Sequence, residues 1–64
     1  MKYLSTNIRF LRQKKGLTQA ELAKIVGKTR TLITAWESEE KIITVEDIIK
    51  ISDYFNVTMD DLVS

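Results

Sequence analysis

The chain has 64 residues with ten Lys or Arg, nine Asp or Glu, no Cys and no His, which gives a formal net charge of +1 at pH 7. The missing Cys and His exclude disulfides, thiolate chemistry, the usual zinc ligands and the commonest general base at neutral pH. A hydrophobic fraction of 44% with 30% charged residues is typical of one small folded domain, so residues 1–64 are predicted to form a single domain.

The apolar pattern predicts helices throughout and no strand, with five helices at residues 5–15, 19–26, 29–38, 45–55 and 59–63. The first helix runs towards Gly16, a residue suited to a helix C-terminus. The second begins with a capping box, in which the Thr18 hydroxyl and the Glu21 carboxylate each accept the backbone N–H of the other residue. A small all-α domain is therefore expected.

Two later helices carry the same start signal with Asp in place of Glu, at Thr44 with Asp47 and at Thr58 with Asp61. The fourth helix is expected to turn one face towards the core. That predicted core face comprises Val45, Ile48, Ile49, Ser52 and Phe55.

The second and third helices are separated by a turn short enough to form a helix-turn-helix. Ala23 supplies the small side chain needed where two backbones approach, and Gly27 tolerates the positive φ of the turn. Ile33 and Trp36 supply apolar anchors on the inner face of the third helix. The spacing of these four residues predicts two helices joined at a steep angle.

The outer face of the third helix carries Arg30, Thr31, Thr34 and Ala35. Guanidinium, hydroxyl and methyl groups at the N-terminal end of a helix suit base edges and thymine methyls in the major groove of DNA. The alternative is a helical bundle whose polar face is merely solvated. The short turn, the residue spacing and the charge distribution together favour DNA binding.

Charge is divided unevenly along the chain. Residues 1–38 carry eight basic and two acidic residues, a net +6, whereas residues 39–64 carry two basic and seven acidic residues, a net −5. A domain polarised in this way can hold a polyanion at one end, although solvated helix faces would explain the charges alone. No apolar run approaches the ~20 residues of a membrane span and no signal peptide is evident, so we expect a cytoplasmic protein that does not bind membranes.

From about Ile8 to Val63 the chain resembles the Cro and phage-repressor type of helix-turn-helix family, also called XRE-like. The matching segments are L-R-Q-K-K-G-L-T-Q-A-E-L-A, I-T-A-W-E and F-N-V-T-M-D-D-L-V. The resemblance implies a compact five-helix bundle, a lambda-repressor-like domain, that binds double-stranded operator DNA, usually as a homodimer on pseudo-palindromic half-sites. Nothing in it points to a cofactor, a metal or a small-molecule ligand.

The family roles that carry over by position fall into three groups. The residues expected to contact DNA bases are Arg30, Thr31, Thr34 and Ala35. The residues expected to contact DNA phosphates are Gln19, Lys28, Thr29, Ser38 and Lys41. Arg12 and Glu37 match a partly buried ion pair that joins the first helix to the end of the third in family members.

The chain departs from the family pattern at two places. The loop after the third helix reads S-E-E-K, whereas family members usually begin it with Asn and Gly. Glu39 and Glu40 lie near the expected phosphate path, so we predict a modest affinity for DNA. Lys28 occupies a position that is often apolar in the family and is expected to extend outward towards phosphate.

Three classes of function compete. The first is a sequence-specific transcriptional regulator, a phage-type or bacterial repressor. The second is a protein-binding module on the same fold, such as an anti-repressor or antitoxin, which the acidic C-terminal half favours. An enzyme is the weakest hypothesis because, without His, Cys or a glycine-rich phosphate loop, no nucleophile and base are apparent.

Overall fold

The computed structural model describes residues 3–64, and over that range the chain is all-α, with five helices and no strand. The helices are α1 (Leu4–Lys14), α2 (Gln19–Val26), α3 (Arg30–Glu37), α4 (Val45–Phe55) and α5 (Met59–Val63). The predicted fold class is confirmed, and each helix end lies within one residue of its expected place. Lys2, counted above in the basic half, lies outside the described residues. None of the described helices is long and apolar enough to cross a membrane.

The hydrophobic core forms between the five helices, each of which contributes at least one buried apolar side chain. Its fully buried side chains are Ile8, Leu22, Ile33, Trp36, Ile48, Ile51 and Leu62. α3 packs against α2 and α1, and α5 packs against α1 and α4. Burying one large apolar side chain contributes about 1.5–3 kcal/mol relative to leaving it exposed. Ile33 and Trp36 therefore determine which face of α3 points inward, and the opposite face is left to solvent.

Threonine hydroxyls cap four of the described helices, but the capping box predicted at α4 is only half formed. Thr44 Oγ1 accepts a hydrogen bond from the Asp47 amide at 3.2 Å. The Asp47 carboxylate accepts from the Thr44 hydroxyl at 3.1 Å and lies 3.6 Å from the Lys28 ammonium. The expected return bond to the Thr44 amide is absent, because a cationic partner attracts the carboxylate more strongly than a neutral amide does.

The face of α4 that meets the core also differs from the prediction. Ile48 and Ser52 are buried as expected, but Val45 and Ile49 are 64% and 43% exposed. Ile51, which was not assigned to the core face, is fully buried. The reason is the position of α2 and α5, which pack on the side of α4 that carries Ile48 and Ile51.

The chain leaves α3 through a residue in the left-handed region. Glu39 has a φ of 64°, and the Glu40 amide donates to the Ala35 carbonyl at 2.9 Å, which closes the last turn of α3 as in a Schellman motif. Gly27 ends α2 in the same way with a φ of 70°. In this conformation a residue with a Cβ is disfavoured by about 1–2 kcal/mol, whereas glycine is not.

Glu39→Gly is therefore expected to stabilise the domain by about 1 kcal/mol, because it removes the Cβ that is strained at this φ. For a domain of this size the melting temperature should rise by roughly 4–8 °C, which thermal unfolding followed by circular dichroism would measure. Glu39→Ala is the matched control, since it removes the same charge and keeps the Cβ. An equal rise in both variants would assign the effect to charge and not to backbone strain.

Candidate nucleic-acid interface

The turn between α2 and α3 holds these two helices in a fixed relation. The Lys28 amide donates to the Ala23 carbonyl at 2.8 Å, across the left-handed Gly27, and α3 begins two residues later at Arg30. Ala23 is 3% exposed and lies in the core with the buried residues of α3. The turn and this small buried side chain thus set the direction in which α3 presents its outer face.

The four predicted base-contacting residues lie together on the outward side of α3. Arg30, Thr31, Thr34 and Ala35 line one groove, and Glu40 lines it with them. Arg30 is exposed, and no carboxylate in the described part of the chain forms a salt bridge with it. The sequence places Glu40 near the expected phosphate path but does not predict that it lines the base-facing groove. Glu40 reaches the groove because the chain reverses direction after α3, where the hydrogen bond from the Glu40 amide to the Ala35 carbonyl holds the loop against the helix.

Two of the predicted phosphate-contacting residues lie beside this groove. Thr29 and Lys41 line a second, adjoining groove with Thr31, Leu32 and Ala35. Thr29 Oγ1 accepts a hydrogen bond from the Leu32 amide at 3.2 Å, which leaves its O–H free to donate. Lys41 is exposed. Both side chains can therefore donate to an anion at the edge of the base-facing groove.

The other three predicted phosphate-contacting residues already have partners within the protein. The Ser38 hydroxyl donates to Glu40 Oε1 at 2.8 Å. Lys28 does not extend freely outward as expected, because its ammonium pairs with the buried carboxylate of Asp47 and its side chain is only 34% exposed. Gln19 is half-buried, and both ends of its amide are hydrogen-bonded.

Three side chains contact the carboxylate of Glu37 at the end of α3, where the Glu37 side chain is only 2% exposed. Arg12 approaches it in a bidentate manner, with Nε 2.6 Å from Oε2 and Nη2 3.0 Å from Oε1. Gln19 Nε2 donates to Oε1 at 3.1 Å, and Arg9 Nε lies 3.7 Å from the same oxygen. The structure brings Arg12 and Glu37 together and adds Gln19 and Arg9. Sequence spacing gave no signal for these two, because they come from α1 and α2 at separations that no local pattern fixes.

The surroundings of Glu37 lower its pKa. Burial raises the pKa, since a carboxylate is less stable away from water, but the hydrogen bonds from Arg12 and Gln19 and the charges of Arg12 and Arg9 lower it by more. The net pKa lies below the ordinary value of 4.5, so Glu37 is ionised at neutral pH.

Comparisons with known proteins find relatives over most of the chain. A family model described as helix-turn-helix matches residues 8–62. The HTH-type transcriptional activator BcrR of Enterococcus faecalis is 43% identical over 54 residues, a match that covers 84% of this chain and 26% of BcrR. The chain therefore spans about a quarter of the length of this curated relative.

Two solved structures of the phage P22 c2 repressor are similar in fold. The solution structure of its DNA-binding domain has a TM-score of 0.85 and 30% sequence identity, over 94% of this chain and 79% of that one. The crystal structure of the P22 c2 repressor in complex with the synthetic operator 9T has a TM-score of 0.86 and 29% identity, over 97% of this chain and 94% of that one. In both, the similarity extends over nearly the whole of the present chain.

Proposed function

The chain belongs to the helix-turn-helix family, and we propose that it is a DNA-binding transcriptional regulator that reads operator half-sites with α3 in the major groove. The observation that carries this proposal is the single groove on α3 in which Arg30, Thr31, Thr34 and Ala35 meet. The curated relative is a transcriptional activator, and one of the similar structures is a repressor on operator DNA; both support the same function here.

Each predicted contact has a role that follows from the hydrogen-bond donors left on its side chain. Thr29 and Lys41, beside the groove, donate to phosphates. Gln19 has a second amide N–H and Lys28 has further ammonium protons, so both can add phosphate contacts while keeping their internal partners. Ser38 contributes least, because its one hydroxyl proton is given to Glu40.

Repression is the outcome that this domain can produce by DNA contact alone, since occupying an operator blocks competing proteins. We propose binding as a homodimer, because two copies on a pseudo-palindromic site double the contacts that one α3 makes. We also propose a cytoplasmic location, because a regulator of this kind acts where the DNA is. The family and the fold are those of DNA-binding regulators, and the proposal includes no catalytic activity.

A protein-binding role on the same fold remains the second candidate, and one observation favours it. Ile42 is 93% exposed and Val45 64% exposed, within a few residues of the acidic Glu39 and Glu40. Exposed apolar side chains beside charged ones are a common feature of protein interaction sites. Such a module would not need the groove on α3 to read bases.

The deciding experiment is selection of binding sites from random duplex DNA, followed by titration of the selected duplex at several salt concentrations. A regulator should give a defined motif and a log K that falls with log salt by about 0.9 for each phosphate contact. Lys41→Ala should reduce that slope by about one, whereas Lys50→Ala on α4 should leave it unchanged. No motif and no salt-dependent binding would favour the protein-binding module.

The acidic loop after α3 is expected to weaken DNA binding by electrostatic repulsion. Replacing both Glu39 and Glu40 by Gln should raise affinity for all sequences nearly equally, because repulsion of phosphates does not depend on base identity. Asp53→Asn with Asp60→Asn removes two exposed charges from the other half of the chain and serves as the control. Unchanged affinity at low salt in the Glu39 and Glu40 variant would show that the loop does not face DNA.

A further inference from the structure

A chain of hydrogen bonds runs from the buried ion pair to the exposed face of α3. Gln19 Nε2 donates to Glu37 Oε1 at 3.1 Å, and the Thr34 hydroxyl lies 2.7 Å from Gln19 Oε1. Arg12 holds the other side of the Glu37 carboxylate. Thr34 at the outer end is exposed and lines the groove on α3. This series of hydrogen bonds therefore connects a fixed charge inside the protein to a side chain on the face that is proposed to contact DNA.

The direction of each bond in this chain is fixed by chemistry. An ionised carboxylate only accepts hydrogen bonds, so Gln19 must turn its NH₂ group towards Glu37 and its carbonyl oxygen towards Thr34. That oxygen only accepts, so the bond must use the single proton of the Thr34 hydroxyl. The other neighbour of this hydroxyl is the Arg30 carbonyl, 3.1 Å away, which also only accepts. Whether it binds Gln19 or Arg30, the Thr34 proton is used in a hydrogen bond within the protein and is not available to DNA.

We infer that Thr34 presents only oxygen lone pairs to DNA and therefore selects a base that carries an amino group, and that Glu37 is the positioning residue that sets this polarity through Gln19. In the major groove the amino groups are adenine N6 and cytosine N4, whereas guanine O6 and N7 and thymine O4 are acceptors that such a hydroxyl cannot bind. The inference rests on the proposed DNA-binding function and specifies which base class one residue reads.

The test uses the selected operator and compares every base at every position for wild type, Thr34→Val and Thr34→Ser. Thr34→Val removes the hydroxyl and keeps the shape, and it should relax a preference for adenine or cytosine at one position by roughly fivefold, the worth of one neutral hydrogen bond. Thr34→Ser keeps the hydroxyl and should retain the preference. Replacing the preferred adenine by purine, or the preferred cytosine by 2-pyrimidinone, should weaken wild type by the same factor and leave Thr34→Val unaffected.

Two variants test whether the polarity comes from Glu37. Glu37→Gln can donate to the Gln19 carbonyl, so the Gln19 amide can turn its NH₂ group towards Thr34. That group then uses a lone pair of the hydroxyl and leaves only the longer bond to the Arg30 carbonyl for the Thr34 proton. The preference for adenine or cytosine should then weaken. If Glu37→Gln does not fold, Gln19→Leu breaks the same link and should reduce the preference towards that of Thr34→Val. The readout is a ratio of affinities between bases, so a uniform loss of binding or stability cancels.

The outcomes separate the two proposals. Failure of wild type to bind any duplex overturns the proposed function and this inference with it. Sequence-specific binding in which Thr34→Val relaxes no position, or relaxes one where guanine or thymine was preferred, overturns the inference alone. A full preference retained in both Glu37→Gln and Gln19→Leu leaves Thr34 as a reader of bases and overturns the positioning role of Glu37.

Discussion

Replacing Glu37 by alanine is expected to lower the free energy of unfolding by about 3–5 kcal/mol, because it leaves the Arg12 guanidinium without its charge partner in a largely buried place. The Arg12 side chain is 11% exposed and that of Glu37 is 2% exposed, so little water reaches the pair in the folded protein. Arg12→Ala should cost a similar amount for the converse reason. Chemical denaturation, with sucrose or trimethylamine oxide added to keep the variants folded, measures both changes.

A double-mutant cycle on Arg12 and Glu37 isolates the interaction between them. Removing both residues should lower the free energy of unfolding by much less than the sum of the two single changes, since no unpaired charge is then left buried. Arg9→Ala is the matched control, because Arg9 approaches the same carboxylate at 3.7 Å but is 53% exposed, and an exposed pair contributes at most about 1 kcal/mol. A coupling energy between Arg12 and Glu37 near zero would contradict a structural role for this ion pair.

The pKa of Glu37 predicts how the same contribution depends on pH. Its pKa is lower in the folded protein than the ordinary value of 4.5, so below about that pH the unfolded chain binds a proton that the folded protein does not. The stabilisation is therefore complete above the unfolded pKa and is lost as pH falls through the folded pKa. At neutral pH, small changes in pH should leave this contribution unchanged.

Local signals in the sequence predict the helices well because the capping groups lie within four residues of one another. Thr18 with Glu21 and Thr58 with Asp61 form the boxes expected of them. Asp47 follows the same local rule only in part, because Lys28 comes from the turn before α3. A capping pattern cannot anticipate a charged partner that arrives through the tertiary fold.

The inward face of α4 illustrates the same limit for apolar side chains. Apolar residues surround much of this helix, so the periodicity permits several core faces, and the exposed Val45 and Ile49 fit the pattern as well as the buried Ile51 does. Which of them is buried depends on where α2 and α5 pack. On α3 the choice is unambiguous, because Ile33 and Trp36 are the large apolar pair opposite a polar face.

For the site, position along α3 was enough to predict the outward residues but not their hydrogen-bonding capacity. Gln19 was expected to contact phosphate, yet its amide is shared between Glu37 and Thr34. Glu40 was expected in the loop near the phosphate path, and it lies in that loop but also lines the base-facing groove with Arg30. Both differences arise from contacts between separate elements. These contacts decide which protons and lone pairs remain for DNA.

Arg30→Ala is expected to reduce affinity for the operator by about 1–3 kcal/mol and to relax the preference for guanine at one base pair of each half-site. Arg30 is the first residue of α3, directly after the Thr29 cap, so its side chain leaves the first turn of the helix that is proposed to enter the major groove of DNA. Its guanidinium has no salt-bridge partner in the described part of the chain. It is also the one group in this groove that can donate two parallel hydrogen bonds, which match guanine O6 and N7.

The measurement is a panel of duplexes with every base substituted at each operator position, bound by wild type, Arg30→Ala and Lys41→Ala. Lys41 lies beside the groove, so as a phosphate contact its loss should weaken all duplexes alike. Arg30→Lys adds a second comparison, because an ammonium keeps the charge and loses the paired donors, and it should bind more tightly than Arg30→Ala with the guanine preference still weakened. A uniform loss across the panel for Arg30→Ala, the pattern expected of Lys41→Ala, would show that Arg30 positions α3 on the phosphates and does not read a base.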